Sequence, residues 1–600
     1  MHRSTTPCWR RFISYRRKAL KLEQSASLTL PSPPRHNHRT LIGLGVLGAI
    51  ALGIAVMGQP ALLNVDGWPQ LQQFLAASFS PDLQIDFVWR LAKATGFTLA
   101  YGVCGTVLSL ALGLIGGVLC SETWWHICWP RSSGRGQWVW RGLRWILAIP
   151  RAIHVLVWGL LWVQVLGLDP LVAVLAIALP FGAIVAKVFA DIFDETPQAP
   201  LKALLATGGS PLNAWLYGLM PQAWPNLLSY SFYRFECSLR AAAVLGIIGA
   251  GGLGYEILLS LQSLQYHQLW TGFYALMLLN GAVDGWSGWV RRRLGFTSRL
   301  DLNVARQRTR SAQPQRDGWI LASWGTVAVM VPLCFGSLSL NWGILWTAQT
   351  WQRAFTLLEA ASPFPLSLTE LAPLLPLSVQ TLAMAVVAIA LAGSLAMVWS
   401  FPAAQNIVLP GGLLRPQPRT QRAARGDPFR IWPWGWTILL GSRLVLLLCR
   451  AIPAPIWALV VLYVFFPGVL PGAIALAIHN FGVLGRLMAE VNENLEDRPV
   501  RAIRAIGAGP TSLLLYGIFP QNMGRFLAYI CYRWEVCLRE TVIVGLAGAG
   551  GLGRLMTEQI SSFDYSGLTL TLAALVLLTV LVDGLSHRLR QHLNPQPDAG

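Results

Sequence analysis

Two octapeptides put charge where an apolar setting penalises it. Tyr233 opens YRFECSLR and Tyr532 opens YRWEVCLR, each inside a hydrophobic run. Counted from Pro225 as a helix start at about 1.5 Å per residue, Arg234 lies roughly 13 Å and Arg240 roughly 22 Å into a hydrocarbon layer about 30 Å thick. A charge at such depth costs about 2.5 to 3.5 kcal/mol on insertion scales, so these side chains are expected to face protein or water and to be paired. Tyr233, Glu236 and Arg240 share one helix face by their i, i+3, i+7 spacing, and Glu236 to Arg240 is an i, i+4 pair. Tyr532, Glu535 and Arg539 repeat the pattern, and Arg533 answers Arg234. Two readings stay open. The pairs tie helices together, or guanidinium groups from both segments converge on an axis and guide an anion, for which the planar fork of Arg offers two hydrogen bonds at once.

Two more segments recur. LKALLATGGSPLNAWLYGLMP from Leu201 is answered by VRAIRAIGAGPTSLLLYGIFP from Val500, so Ala203, Gly208, Tyr217 and Pro221 return as Ala502, Gly507, Tyr516 and Pro520, 299 positions later. Each joins short helical pieces through a permissive glycine and ends in aromatic-Gly-x-x-Pro, expected to stop a helix. GAGGLG occurs twice, with Gly249, Gly251, Gly252 and Gly254 matched by Gly548, Gly550, Gly551 and Gly553. The letters fit a dinucleotide fingerprint, but that motif needs a preceding strand and a βαβ unit, and here it follows an apolar span. Small residues at such a place let backbones approach closely or let a helix break at a gate.

The elements that carry these segments belong in a bilayer. Of 600 residues 54% are hydrophobic and 12% charged, against roughly 25% charged in soluble domains. Apolar runs at 41–57, 95–119, 146–166, 171–190, 227–248 and 270–290 make six expected spans. Runs at 319–340, 377–399, 452–466, 469–489, 526–546 and 568–585 make six more, giving an all-α polytopic protein of about twelve helices. The expected organisation is a basic tail at 1–40, a first unit at 41–296, a basic linker at 297–317, a second unit at 318–590 and a tail at 591–600. With six spans each, the halves run parallel about an axis normal to the membrane. The net charge of +19 sits largely in the tail (Arg3 to Arg39), the linker (Arg299 to Arg316) and loops around Arg131, Arg135, Arg141 and around Arg415, Arg419, Arg422, Arg425. Arginine clusters that flank spans read as orientation signals with both termini inside, not as a nucleic-acid surface. The acidic stretch with Asp66, Asp82 and Asp86 then falls outside.

The recurring loop segment resembles the coupling loop of binding-protein-dependent ABC importer permeases. Pro221 to Gly254, followed by Gln265, Tyr266 and Asp284, is similar to phosphonate ABC-importer permeases, as are Pro520 to Gly553, Tyr565 and Asp583. The resemblance implies a permease for phosphonate, phosphite or phosphate in a bacterial inner membrane. It also implies a periplasmic phosphonate-binding protein that delivers the ligand and two ABC-type ATPase subunits on the loops at Lys202 to Pro221 and Arg501 to Pro520. In the family a Glu usually precedes the Ala of this loop; here Lys202 and Arg501 stand there, which implies a contact of reversed charge.

No GxxxxGK[ST] loop exists among the five lysines, so ATP hydrolysis is expected from separate subunits. Nine cysteines without a CxxC and nine histidines without ligand spacing lead to an expectation of no metal and no cofactor. No nucleophile and base recur in both copies, so no catalytic residue is expected. A rival importer of quaternary ammonium solutes would want an aromatic cage; the repeated intramembrane residues are Tyr with Arg and Glu. Trp124, Trp125, Trp138 and Trp140 read as interfacial anchors.

Overall fold

The computed structural model describes residues 38–56, 63–128, 135–293, 318–362, 371–409, 412–414 and 433–593. The expected tail before residue 38, the linker 297–317, Arg131 and the arginines from Arg415 to Arg425 lie outside the described residues. Residues 1–50 cluster apart from 51–600, and the features below, apart from the start of the first helix, lie in the latter body.

Helices of eight residues or more form two series in the same order. The first is α1 (His38–Val56), α2 (Trp68–Ala77), α3 (Ile85–Cys120), α4 (Arg135–Ala152), α5 (Val155–Leu166), α6 (Pro170–Glu195), α7 (Ala199–Ala206), α8 (Met220–Leu245), α9 (Leu253–Gln262) and α10 (Tyr266–Arg293). The second is α11 (Gly318–Ser337), α12 (Ala348–Ala360), α13 (Leu374–Trp399), α14 (Pro433–Ala451), α15 (Ala454–Val461), α16 (Val469–Glu493), α17 (Asp497–Ala505), α18 (Phe519–Val544), α19 (Gly551–Ser561) and α20 (Tyr565–Leu593). Each helix of the first series is answered by the one ten places on.

Seven of these are long and apolar enough to cross a membrane: α3, α6, α11, α13, α14, α16 and α20. The number rises to nine if α4 with α5 and α8 with α9 each count as one bent span. α18 falls short on composition because it carries Arg525, Arg533, Glu535, Arg539 and Glu540, of which Arg533 and Glu535 are buried in the protein.

The third span of each half departs from expectation. The run at 146–166 breaks between α4 and α5 with an 88° bend. His154 is extended there, and its Nδ1 accepts the Leu156 N–H at 3.1 Å, capping α5. In the second half Pro453 occupies the same place with extended backbone; lacking an N–H, it cannot continue α14. The expected span 452–466 is corrected accordingly. Its helix α15 has eight residues, about 12 Å of rise and too short to cross. The crossing helix there is α14, which the apolar runs did not assign. The apolar pattern runs on past the break because Ile452, Ile456 and Val460 are buried in a core formed largely by the first half.

The aromatic-Gly-x-x-Pro segments do not stop a helix either. Trp215–Leu219 and Leu513–Ile518 are wider, π-helical turns that lead straight into α8 and α18. The wider turn accommodates Pro221 and Pro520 in the first turn of the next helix, where no donor is needed. Pro225 therefore lies inside α8 rather than at its start.

Within each half a small-residue stripe sets the central packing. On α3 a Cβ at Gly113 would come 2.3 Å from Val185 Cγ1 of α6, so only glycine permits that approach. On α13 the equivalent work falls to Ala385, Ala388, Ala392 and Ala396, all fully buried against the α16 core.

Candidate substrate pathway

α8 and α18 carry the charged octapeptides, and each is held by its neighbours in a different way. On α18, Arg533 is 6% exposed and fully engaged. Its Nε donates to Asn480 Oδ1 of α16 at 2.6 Å, and its Nη2 donates to Glu540 Oε1 at 2.8 Å. Asn480 Nδ2 closes the ring by donating to Glu540 Oε2 at 3.1 Å. Three side chains thus satisfy one another away from lipid.

Arg234 on α8 is 5% exposed and has different company. Its Nη2 donates to the Tyr230 hydroxyl at 2.8 Å. Its guanidinium carbon lies 4.6 Å from the centre of the Phe181 ring, and its Nε is buried without a hydrogen-bond partner. Phe181 and Ala241 stand where the second half has Asn480 and Glu540. Among the described residues no carboxylate pairs with Arg234. Tyr532 is near enough to Arg234, and Arg533 to Tyr233, to interact electrostatically. The four residues Tyr233, Arg234, Tyr532 and Arg533 are therefore brought together.

The expected Glu236–Arg240 and Glu535–Arg539 pairs are corrected. Glu236 accepts from the Ser287 hydroxyl at 2.6 Å and lies 3.9 Å from Arg291 of α10. Glu535 meets Arg590 of α20 at 2.7 Å. Arg240 and Arg539 instead turn their Nε to the backbone carbonyls of Glu236 and Glu535, at 3.4 and 3.2 Å. Helical spacing permits an i, i+4 pair, but a carboxylate facing an arginine on the packed last helix gains a partner at lower dielectric. Arg539 Nη1 also donates to the Arg151 carbonyl of the other half at 2.9 Å. Two ion pairs missed in the sequence cross between halves, Asp284–Arg450 at 2.6 Å and Arg151–Asp583 at 3.5 Å. All four sit at positions related by the 299-residue offset, a signal that could have found them. One turn beyond the arginines, Val244, Ile543 and Leu156 form a shared apolar contact.

The glycine segments break both helices. Gly249, Gly251 and Gly252 have φ of 95°, 83° and 77°, and Gly548, Gly550 and Gly551 have 92°, 82° and 69°. Thr98 Oγ1 accepts the Leu253 N–H at 2.8 Å, and Thr381 Oγ1 accepts the Leu552 N–H at 2.9 Å, fixing the start of α9 and α19. At Gly254 a Cβ would fall 1.8 Å from the Ala243 carbonyl oxygen, so the break and close packing are one feature rather than alternatives.

In the loops, Gly208 and Gly507 adopt φ of 85° and 87° after α7 and α17. Lys202, Ala203, Arg501 and Ala502 are exposed, and Tyr217 and Tyr516 are 77% and 75% exposed. Pro221 is exposed, and Pro520 half-buried. The Trp124 ring packs edge-on against Trp215, 5.4 Å between centres, tying the end of the span to the loop.

The family model described as binding-protein-dependent transport system inner membrane component matches twice, at residues 127–296 and 435–596. The chain belongs to that family. It is a multi-pass membrane protein and a transport subunit, not an enzyme. As such a permease it implies ATPase partners and a substrate-binding protein. It is similar to the phosphate-import permease protein PhnE of Mycolicibacterium smegmatis, 28% identical over 75% of this chain and 77% of that one. It is also similar to the phosphite transport system permease protein PtxC of Stutzerimonas stutzeri, 30% identical over 44% of this chain and 96% of that one. An inward-facing structure of the methionine ABC transporter MetNI covers 34% of the permease at 20% identity with a TM-score of 0.29, too low to carry structural detail.

Proposed function

We propose that this permease moves a phosphorus oxyanion, phosphonate, phosphite or phosphate, inward along a path between α8 and α18. The observation that carries the reading is a surplus of positive charge. Arg234, Arg240 and Arg539 have no carboxylate partner among the described residues, while Arg533 has Glu540. Relatives named for phosphate and phosphite transport support the same substrate class.

In this reading residues 41–296 and 318–590 are the two permease units, with both termini on the cytoplasmic side and a binding protein delivering the anion from the periplasm. Two ATPase subunits grip the loops at Gly208 and Gly507, whose exposed Tyr217 and Tyr516 offer apolar purchase. ATP binding rocks the halves about their axis, and Val244, Ile543 and Leu156 seal the path on the glycine side of the arginines. Arg539 is held by backbone carbonyl oxygens and Arg240 by a carbonyl oxygen and the Cys237 sulfur, all neutral acceptors, which leaves their charge available to an oxyanion.

The test is uptake of labelled methylphosphonate, phosphite and phosphate in cells with and without the permease. Arg240→Ala combined with Arg539→Ala should abolish uptake while the protein stays in the membrane. Undiminished uptake by that double variant would overturn the assignment of the path.

A further inference from the structure

Around the two equivalent buried arginines the halves differ in chemistry at two pairs of positions, Phe181 against Asn480 and Ala241 against Glu540. In the second half the buried guanidinium of Arg533 has a carboxylate and an amide in contact with it, at 2.8 and 2.6 Å. In the first half both acceptors are gone together. Ala241 replaces the carboxylate and Phe181 the amide, yet the arginine itself is kept and is no more exposed than its counterpart. A buried cation left with a neutral hydroxyl and an aromatic face in place of a carboxylate and an amide is unfavourable unless something else supplies negative charge. Two donors remain at that place. One is the unpartnered Arg234 Nε–H. The other is the Tyr230 hydroxyl, which accepts from Arg234 Nη2 and keeps its own proton to give. The face of Phe181 lies against the guanidinium plane.

We infer that of the two equivalent places at Arg234 and Arg533 one is an oxyanion resting subsite, built on Arg234 and Tyr230 in the first half, from which the anion passes to Arg240 and Arg539, and that Glu540 is a built-in carboxylate filling the equivalent place on Arg533. The inference rests on reading the space between α8 and α18 as an anion path. The ligand is a small tetrahedral oxyanion that takes hydrogen bonds from the Arg234 guanidinium and the Tyr230 O–H, as Glu540 takes them from Arg533 Nη2 and Asn480 Nδ2. A fused chain makes this possible. Two identical subunits would carry either two open subsites or two closed ones, whereas one chain carries one of each.

Equilibrium dialysis of the full chain in lipid nanodiscs, against labelled phosphate, phosphite, methylphosphonate and sulfate, tests it. The wild-type chain is expected to bind one anion. Ala241→Glu, which installs the second-half carboxylate beside Arg234, should weaken binding by about tenfold or more, about 1.4 kcal/mol. Ala241→Gln has the same bulk without the charge and should weaken it distinctly less. Transposing the two sites, with Phe181→Asn, Ala241→Glu, Asn480→Phe and Glu540→Ala together, should restore one bound anion, an outcome that a folding defect in Ala241→Glu would not produce. If Ala241→Glu binds a phosphorus oxyanion as tightly as wild type, or the wild-type chain binds two anions or none, the single subsite is overturned. If sulfate binds with the expected pattern of variants and no phosphorus oxyanion does, the subsite stands and the proposed substrate class falls.

Discussion

On α18, Arg533 closes a ring with Asn480 and Glu540, while on α8, Arg234 leans on Tyr230 and Phe181 with its Nε unpartnered. The surrounding architecture is shared. Both helices follow a π-helical turn, both break at a glycine triplet of positive φ, and both deliver a glutamate to an arginine on the last helix of their half. Duplication has therefore kept the scaffold and let the charge diverge. The second half neutralises its buried arginine locally; the first leaves it in the company of aromatic rings. Burial alone does not make an arginine a binding group. What distinguishes the two is whether the fold has already supplied the anion.

The largest expected effect follows from that contrast. Arg533→Ala leaves Glu540 buried without its cation, and removing one member of a buried pair costs about 3 to 5 kcal/mol. Arg234→Ala orphans no carboxylate and gives up one charge-assisted hydrogen bond to a phenol and a contact with the Phe181 ring, about 1.5 to 3 kcal/mol. Thermal unfolding of the purified chain in detergent should rank the two variants in that order. Adding Glu540→Gln to Arg533→Ala should recover part of the loss. Equal destabilisation by the two arginine variants would remove the distinction on which the comparison stands.

A smaller effect tests how far the scaffold is shared. A Cβ at Gly254 would lie 1.8 Å from the Ala243 carbonyl oxygen, and at Gly553 2.5 Å from the Val542 carbonyl oxygen. Both contacts are with backbone, which cannot swing aside, so alanine at either position should cost about 1 to 3 kcal/mol, with Gly254 at the upper end. The same unfolding measurement reads it. Tolerance at Gly254 with damage at Gly553 would mean that the two breaks are packed differently and that only their sequences match.

Much of this was legible in the sequence, and the failures share one cause. Apolar run length found helices at each expected span, and the 299-residue offset identified equivalent residues, because both depend on chain-local pattern. The segment 452–466 misled because Pro453 ends a helix inside a continuous apolar run, and the run stays apolar because Ile452, Ile456 and Val460 are buried in the other half. Glu236 and Arg240 misled for a related reason. Their spacing allows a local pair, but Ser287 and Arg291 on α10 take the carboxylate, and nothing within the octapeptide announces them. Glu540 opposite Ala241 was visible as a difference in sequence; its meaning needed Asn480 and Arg533 brought within 3.1 Å of it.

The smallest expected effect is a difference, between the two ion pairs that cross between halves. Asp284–Arg450 closes at 2.6 Å with side chains 15% and 14% exposed, whereas Arg151–Asp583 spans 3.5 Å with both about a fifth exposed. A short charge-assisted hydrogen bond in a drier place contributes about 1.5 to 3 kcal/mol, and a longer, wetter one less. Asp284→Asn should therefore lower the unfolding temperature more than Asp583→Asn, and combining Asp284→Asn with Arg450→Gln should cost less than the two single losses added together. If Asp583→Asn proves the more damaging, the seam between the halves is held where its geometry looks weaker, and the divergence seen between Arg234 and Arg533 would extend to the interface. If the two variants are equal, the crossing pairs are symmetric in energy despite their geometry, and the divergence is confined to the pathway.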